Sequence, residues 1–280
     1  MISVKPLSRL VFAIPVGTRK GLQWAHASVG ELDVSVGRLG AASAKMVEQE
    51  VIANRILLAL PEAVFQRFRP HLEPVNLQRG RVIYRADERI EKLYFVNRGL
   101  VSLVKTMKDG RTIEVGAVGI EGLMGLDSLY GLDIAPLECI VQLSGTAFCV
   151  KAPPLRAEMA RSRGLQTLLQ RYYHVVASQF AQTAACNRLH GLEERCCRWL
   201  LIAHDSARSN TFQLTHEFLA MMLGVQRAGV SIAAQSLQQS GLIRYARGQM
   251  SVTDRHGLEA AACECYGTIR HLGDRLFFGA

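Results

Sequence analysis

The sequence predicts an α+β chain in which an N-terminal antiparallel β-roll, jelly-roll-like, leads through a long helix into a C-terminal winged helix-turn-helix. Three observations carry that prediction. Short β-rich runs punctuated by glycine and aspartate fill the first half, and a helical tract with few breakers follows Pro153-Pro154. Beyond it, residues 215–243 read THEFLAMMLGVQRAGVSIAAQSLQQSGLI, two helical patterns split by a glycine turn with a hairpin signal close behind.

At 280 residues and 49% apolar content the chain is long enough for one or two domains with proper cores. Residues 1–45 are rich in Gly, Ala, Ser and Val, lack sustained periodicity and hold six Lys/Arg against two Asp/Glu. A poorly ordered extension is expected there; a basic arm that touches DNA and an upstream start codon ahead of Met46 are the alternatives. The apolar run from Leu10 to Val16 follows basic residues, but Pro15 and Gly17 cut it short and no clean cleavage site follows. No apolar run approaches the roughly 18 residues that span a bilayer. The seven cysteines, an odd number without an export signal, read as reduced thiols in a cytoplasm.

A first folded region is expected over residues 46–163. Ile56, Leu57, Leu60, Val64, Phe65 and Phe68 predict one or two short amphipathic helices around Pro61. Strands are then expected at 75–77, 82–84, 93–96, 100–104, 113–118, 138–141 and 147–150, with Gly80, Asp87, Gly99, Asp109-Gly110 and Gly145 as separators. Asp109-Gly110 suits a hairpin turn.

A long helix is expected over residues 164–190. Leu165, Leu168, Tyr172, Val175, Gln179, Thr183, Cys186 and Leu189 or His190 step by threes and fours along one stripe, as in a two-stranded coiled coil, so a homodimer is expected through this stripe. Packing of the same stripe against the helix's own barrel is the alternative.

Residues 191–280 form the third expected region. Thr215 suits an N-cap, and Phe218, Leu219, Met222 and Leu223 recur at helical spacing over a helix from about 216 to 223. Gly224 supplies a tight turn, Val225 fills the gap, and a second helix from 226 to 239 is expected to bury Val230, Ala233, Ala234 and Leu237. In a helix-turn-helix the second helix enters the major groove with its N-terminal residues nearest the base edges. Arg227 stands at that place, where a guanidinium donates to guanine O6 and N7; Gln226 and Ser231 come next, within reach of a phosphate or a base edge. The runs 242–245 and 249–252 flank Ala246-Arg247-Gly248 as a short wing, which brings Arg244 and Arg247 to the sugar-phosphate backbone. Double-stranded DNA is therefore the expected partner, through Thr215, Gln226, Arg227, Ser231, Arg244 and Arg247. A plain helical hairpin in a core is the alternative.

Global charge adds little. The net charge of +9 suits a polyanion, yet residues 191–280 hold nine Lys/Arg against eight Asp/Glu. No Ser/His/Asp, HExxH or phosphate-loop arrangement is present and the eight histidines are dispersed, so an enzyme is not expected. His190 and His216 read as cap-region or surface groups. Cys263 and Cys265 form a C-x-C, but residues two apart on a regular helix point about 200° from each other and do not share an ion. Cys196-Cys197 reads as buried helix packing, and no metal or cofactor is expected.

With these signals in this order, the chain resembles the Crp/Fnr family of bacterial transcription regulators over about residues 50–275. The matching marks are Arg79-Gly80, Tyr94-Phe95-Val96-x-x-Gly99, Asp109-Gly110, Gly119-x-Glu121-Gly122 and the 215–243 segment. The resemblance implies a sensory β-roll, dimerisation through the long helix, a near-palindromic operator and contact with RNA polymerase. Members that bind cyclic AMP carry Gly-Glu in a phosphate cassette and, about ten residues on, an Arg followed by Ser or Thr. Here those places read Gly125-Leu126-Asp127 and Pro136-Leu137-Glu138-Cys139, so the usual mode of cyclic-nucleotide binding is not expected; a pose using Lys105 or Arg111 is the alternative. The family's oxygen sensors use N-terminal cysteines for an iron-sulfur cluster, and residues 1–138 contain none. Arg227 falls on the family's base-reading Arg, whereas the Glu that often follows is Ala228 and a second Arg is Ile232. Two readings result: a homodimeric sequence-specific regulator of unknown effector, or a ligand-sensing or protein-interaction module with a vestigial helix-turn-helix.

Overall fold

The computed structural model describes residues 51–278. The expectations for residues 1–45, and for a regular segment opening at Met46, lie outside the described residues. Two short helices, α1 (Arg55–Leu58) and α2 (Glu62–Phe68), stand on either side of Pro61 as expected. Asn54 starts α1: its Oδ1 accepts from Leu57 N at 3.1 Å, and its Nδ2 donates to the carbonyls of Val96 and Gly122, both at 2.8 Å. A fully buried side chain is thus satisfied and ties the first helix to the sheet.

Strands β1 (Glu73–Leu77), β2 (Val82–Tyr84), β3 (Lys92–Thr106), β4 (Thr112–Val118), β5 (Leu123–Met124) and β6 (Glu138–Lys151) build one antiparallel sheet with the path β1-β6-β3-β4. Strand β2 pairs with β6, and β5 with β3. The expected breaks at Gly99 and Gly145 are corrected: both residues lie inside unbroken strands. The β3-β6 register slips around Arg98 and Leu100, so the glycines mark bulges that bend two long strands around the roll. The Asp109-Gly110 turn is present, with Met107 N donating to Arg111 O at 2.8 Å and Gly110 at φ +85°.

Helix α3 (Ala152–Arg161) leads into α4 (Arg163–Leu189). The expected coiled-coil stripe is used in part within the chain, while Leu168, Val175 and Gln179 are half-buried and Leu189 is exposed. Leu165, Tyr172, Thr183 and Cys186 are buried within the same chain, Tyr172 Oη bonds both backbone atoms of Leu123 at 2.9 and 3.1 Å, and Gln179 donates to Ala117 O. The opposite stripe of α4 faces solvent: Gln166, Gln170, Tyr173, Ala177, Ala181, Ala184 and Arg188.

After the His190-Gly191 break come α5 (Leu192–Ala207), β7 (Thr211–Gln213), α6 (His216–Leu223), α7 (Arg227–Gln239), β8 (Ile243–Ala246), β9 (Gln249–Val252), α8 (Arg255–Ala261) and α9 (Cys265–Phe278). Strand β7, missed in the sequence because it is three residues long, completes a three-stranded wing in the order β7-β9-β8. Trp199, Leu200 and Leu201 of α5 pack in one apolar core with Leu219, Met222, Val230 and Leu237 and with Leu100, Val104 and Leu143 from the outer side of the roll. Among the described residues no helix is long and apolar enough to cross a membrane.

Candidate nucleic-acid interface

Local chemistry sets both helices of the reading head. Thr215 Oγ1 accepts from Phe218 N at 3.2 Å and opens α6, which buries Leu219, Ala220, Met222 and Leu223. Gly224 closes it at φ +64°, a conformation that favours glycine, and a Cβ there would have to displace the end of the Ile113 side chain of β4, 2.6 Å away. Gln226 is the exposed N-cap of α7, and Val230, Ala233, Ala234 and Leu237 face inward as their spacing predicts.

The outer face of α7 carries Arg227, Ala228, Ile232 and Gln235 in the open, with Ile232 70% exposed. Arg227 Nη1 lies 3.4 Å from Glu217 Oε1, a solvent-exposed pair that orients the guanidinium at little energetic cost. Ser231 is placed differently from the sequence reading: its hydroxyl is half-buried, donates to Arg227 O at 3.1 Å and meets His216 Nδ1 at 3.0 Å. It braces the head from within, and Thr215 likewise acts as a cap. His216, read as a surface or cap-region group, holds more: its ring stacks on Tyr245 of the wing at 4.2 Å between centroids, and so joins α6, α7 and β8. Burial, then the nearby Arg227 charge, lowers the His216 pKa and favours its neutral form.

The wing turn is Arg247-Gly248, with φ +50° and +77°, the signature of a two-residue type I′ hairpin. Arg244 and Arg247 are both exposed and make no ion pair with another described residue. The six expected residues thus divide. Arg227, Gln226, Arg244 and Arg247 present their side chains outward, while Thr215 and Ser231 hold the frame.

The roll contains a cavity of about 340 Å³ in the place of the phosphate cassette. Gly125 at φ +83° opens the short 3-10 helix Leu126–Tyr130, and Arg156 clamps this segment by donating to Ser128 O and Asp133. Apolar side chains dominate the lining, including Leu103, Val118, Met124 and, from α4, Tyr173, Val176 and Phe180. Neither Lys nor Arg lines it. Asp127 does, and burial raises its pKa; Cys139 lies at the wall with its thiol pushed up to about 12, also by burial. Lys105 donates to Pro136 O and Arg111 pairs with Asp109 in the exposed hairpin, and neither reaches this space. Glu138 is not in the lining either.

One expectation about cysteines is also corrected. Cys263 precedes α9, which begins at Cys265, so the divergence of two residues on a regular helix does not apply. Both thiols meet Cys186 and His190 at the end of α4.

Two family models match in tandem: the cyclic nucleotide-binding domain over residues 74–162 and the Crp-like helix-turn-helix domain over residues 194–261. No curated protein sequence matches the chain at a significant level. Among solved structures, a Crp/Fnr-family protein from Eubacterium rectale ATCC 33656 is 17% identical at a TM-score of 0.59 and covers 74% of this chain and 96% of its own. FixK2 from Bradyrhizobium japonicum is 19% identical at 0.59, covering 69% and 98%. A CRP-family transcriptional regulator from Thermus thermophilus is 22% identical at 0.56, covering 67% and 96%. These structures share the fold, and the two domain models in this order, with the motifs and the reading head described above, make the chain a member of the Crp/Fnr family of transcription regulators.

Proposed function

We propose that this regulator works as a homodimer that reads duplex DNA through α7 and the wing, with RNA polymerase as a further partner and an effector other than cyclic AMP in its usual mode. One observation carries the reading: the exposed Arg227 at the N-terminus of α7, oriented by Glu217 and flanked by the outward Gln226 and by the wing arginines Arg244 and Arg247. Ala228 and Ile232, which in the sequence suggested a vestigial head, lie on that same exposed face. Apolar side chains there suit thymine methyl groups, so the half-site pairs a guanine opposite Arg227 with adjacent thymines. Half-sites one helical turn apart are expected for a two-fold dimer.

The cavity supports the effector reading. A cyclic phosphate needs a cation to replace its water, whereas this lining offers apolar groups, three tyrosines, a thiol and one carboxyl, but no Lys or Arg. A small, largely apolar ligand suits it better, and would touch α4 directly through Tyr173, Val176 and Phe180.

The test is selection of bound duplex fragments by the purified protein, followed by competition titration. Arg227→Ala is expected to lose roughly 1–3 kcal/mol of discrimination at the guanine while its melting temperature stays unchanged. Equal discrimination by both proteins would refute the reading and favour a protein-interaction module, whereas no enriched motif with and without cyclic nucleotides would point to that module or to a missing effector.

A further inference from the structure

Three thiols and an imidazole from distant parts of the chain converge where the long helix meets the DNA-reading domain. Cys186 lies on the last turns of α4 and His190 caps it; Cys263 sits in the turn after α8, and Cys265 opens α9. Their donor atoms all lie within 4.8 Å of one another. Cys186 Sγ is 3.6 Å from Cys263 Sγ, and Cys265 Sγ is 3.5 Å from His190 Nδ1. Bonds of about 2.3 Å to sulfur and 2.05 Å to nitrogen, at tetrahedral angles, put sulfurs about 3.8 Å apart and sulfur and nitrogen about 3.6 Å apart. These two edges match that polyhedron, and the remaining pairs lie within 4.8 Å. Ligands of a cubane iron-sulfur cluster bind four separate metal atoms and stand further apart.

From this geometry we infer a four-ligand Cys3His zinc site, formed by Cys186, His190, Cys263 and Cys265, that pins the end of the long helix to the C-terminal helices of the DNA-reading domain.

The surroundings fit an ion held by thiolates. His190 Nε2 lies 3.1 Å from Glu264 Oε2, so a carboxylate orients the ring with Nδ1 turned toward the cluster. Gln182 Nε2 donates to Cys265 Sγ at 2.9 Å. Arg195 and Arg198 are both more than nine-tenths buried, and each keeps an Nε without a hydrogen-bond partner. Both guanidiniums act electrostatically on Cys186 or Cys263. Zinc with three thiolates and a neutral imidazole carries one net negative charge, which gives these buried cations a counter-charge. Four protein ligands close the coordination sphere, so the site is structural and leaves no open position for catalysis. Zinc binding displaces the thiol protons to solvent and changes no oxidation state. Because one ligand pair belongs to the end of α4 and the other to the segment after the wing, the ion ties together the two sides of the His190-Gly191 break.

The experiment uses the full chain purified under reducing conditions. Elemental analysis is expected to find about one zinc per chain. The cobalt-substituted protein is expected to show a thiolate-to-cobalt charge-transfer band and the intense visible bands of tetrahedral cobalt. Cys263→Ser should lose both, whereas Cys139→Ser, a buried thiol in the roll, should keep them. Glu264 is exposed, so Glu264→Ala should fold and weaken zinc roughly 10–100-fold in chelator competition. Substoichiometric zinc with no tetrahedral cobalt spectrum in the wild type would overturn the proposal. So would iron with labile sulfide, or a Cys186–Cys263 disulfide as the native state. None of these readouts involves DNA, so they stand or fall apart from the regulatory reading. In a separate arm, zinc removal should weaken operator binding and readdition should restore it.

Discussion

Two glycines decide whether β3 and β6 run unbroken around the roll. A Cβ on Gly145 would lie 1.9 Å from Arg98 O, and one on Gly99 would lie 2.5 Å from Leu143 O, in each case against backbone that has no rotamer to retreat into. Gly99 also sits at φ +90°. Gly145→Ala therefore has to move a strand, and a loss of roughly 1–3 kcal/mol or more is expected in urea unfolding. Gly267, inside α9 with open space around it, is the matched control: Gly267→Ala should stabilise by about 0.5–1 kcal/mol through helix propensity. An equal response at the two sites would mean that the close approach at Gly145 is not what the bulge depends on. The same scale explains why Ser231 belongs to the frame of the reading head. A hydroxyl whose one proton already goes to Arg227 O has none left to donate to a phosphate.

For the long helix, burial within the chain uses the stripe through Leu165, Tyr172 and Cys186, which frees the stripe through Tyr173, Ala177, Ala181 and Ala184 for a partner copy. Alanines at three- and four-residue spacing let two helices approach closely, with the exposed Tyr173 as the aromatic anchor at one end. The wild type is expected to sediment as a dimer and Ala181→Arg as a folded monomer or a dimer at least roughly tenfold weaker. A monomeric wild type, or an unaffected variant, would place the two-fold contact elsewhere. The sequence showed the length of this helix correctly but not its outward side, because a stripe every 3.6 residues looks the same whether it covers the chain's own sheet or a second copy. Helices α6 and α7 were legible almost to the residue, since the Thr215 cap, the Gly224 turn and the inward apolar set are local chemistry. The Cys186–Cys263 meeting was not, as 77 residues separate the two and only the turn before α9 brings Cys263 round. Strand β7 gave no signal of its own, and its place is fixed by pairing with β9.

Across the whole molecule, the β-roll and the helix-turn-helix domain share a core, and a carboxyl lies buried in the join. Glu114 of β4 is 7% exposed; its Oε2 accepts from Ser102 Oγ at 2.5 Å, and the charge that favours its ionised form is Arg198 of α5. Burial raises its pKa from 4.5 to about 7, with the Ser102 bond and the Arg198 charge opposing the rise. Below about pH 4.5 the carboxyl is protonated whether the chain is folded or not, and the burial has no linked cost. Between about 4.5 and 7 the unfolded chain releases the proton while the folded one keeps it, so stability falls as pH rises through that window and the loss is complete above it. A shift of this size corresponds to up to roughly 3 kcal/mol. Glu114→Gln keeps the shape and a partner for Ser102 without the charge. Relative to the wild type it should melt higher by a margin that is small near pH 4.5, grows toward pH 7 and then levels off. A margin independent of pH would show that Glu114 is ionised throughout and paired with Arg198, so that the join is held by a buried ion pair rather than by a neutral acid.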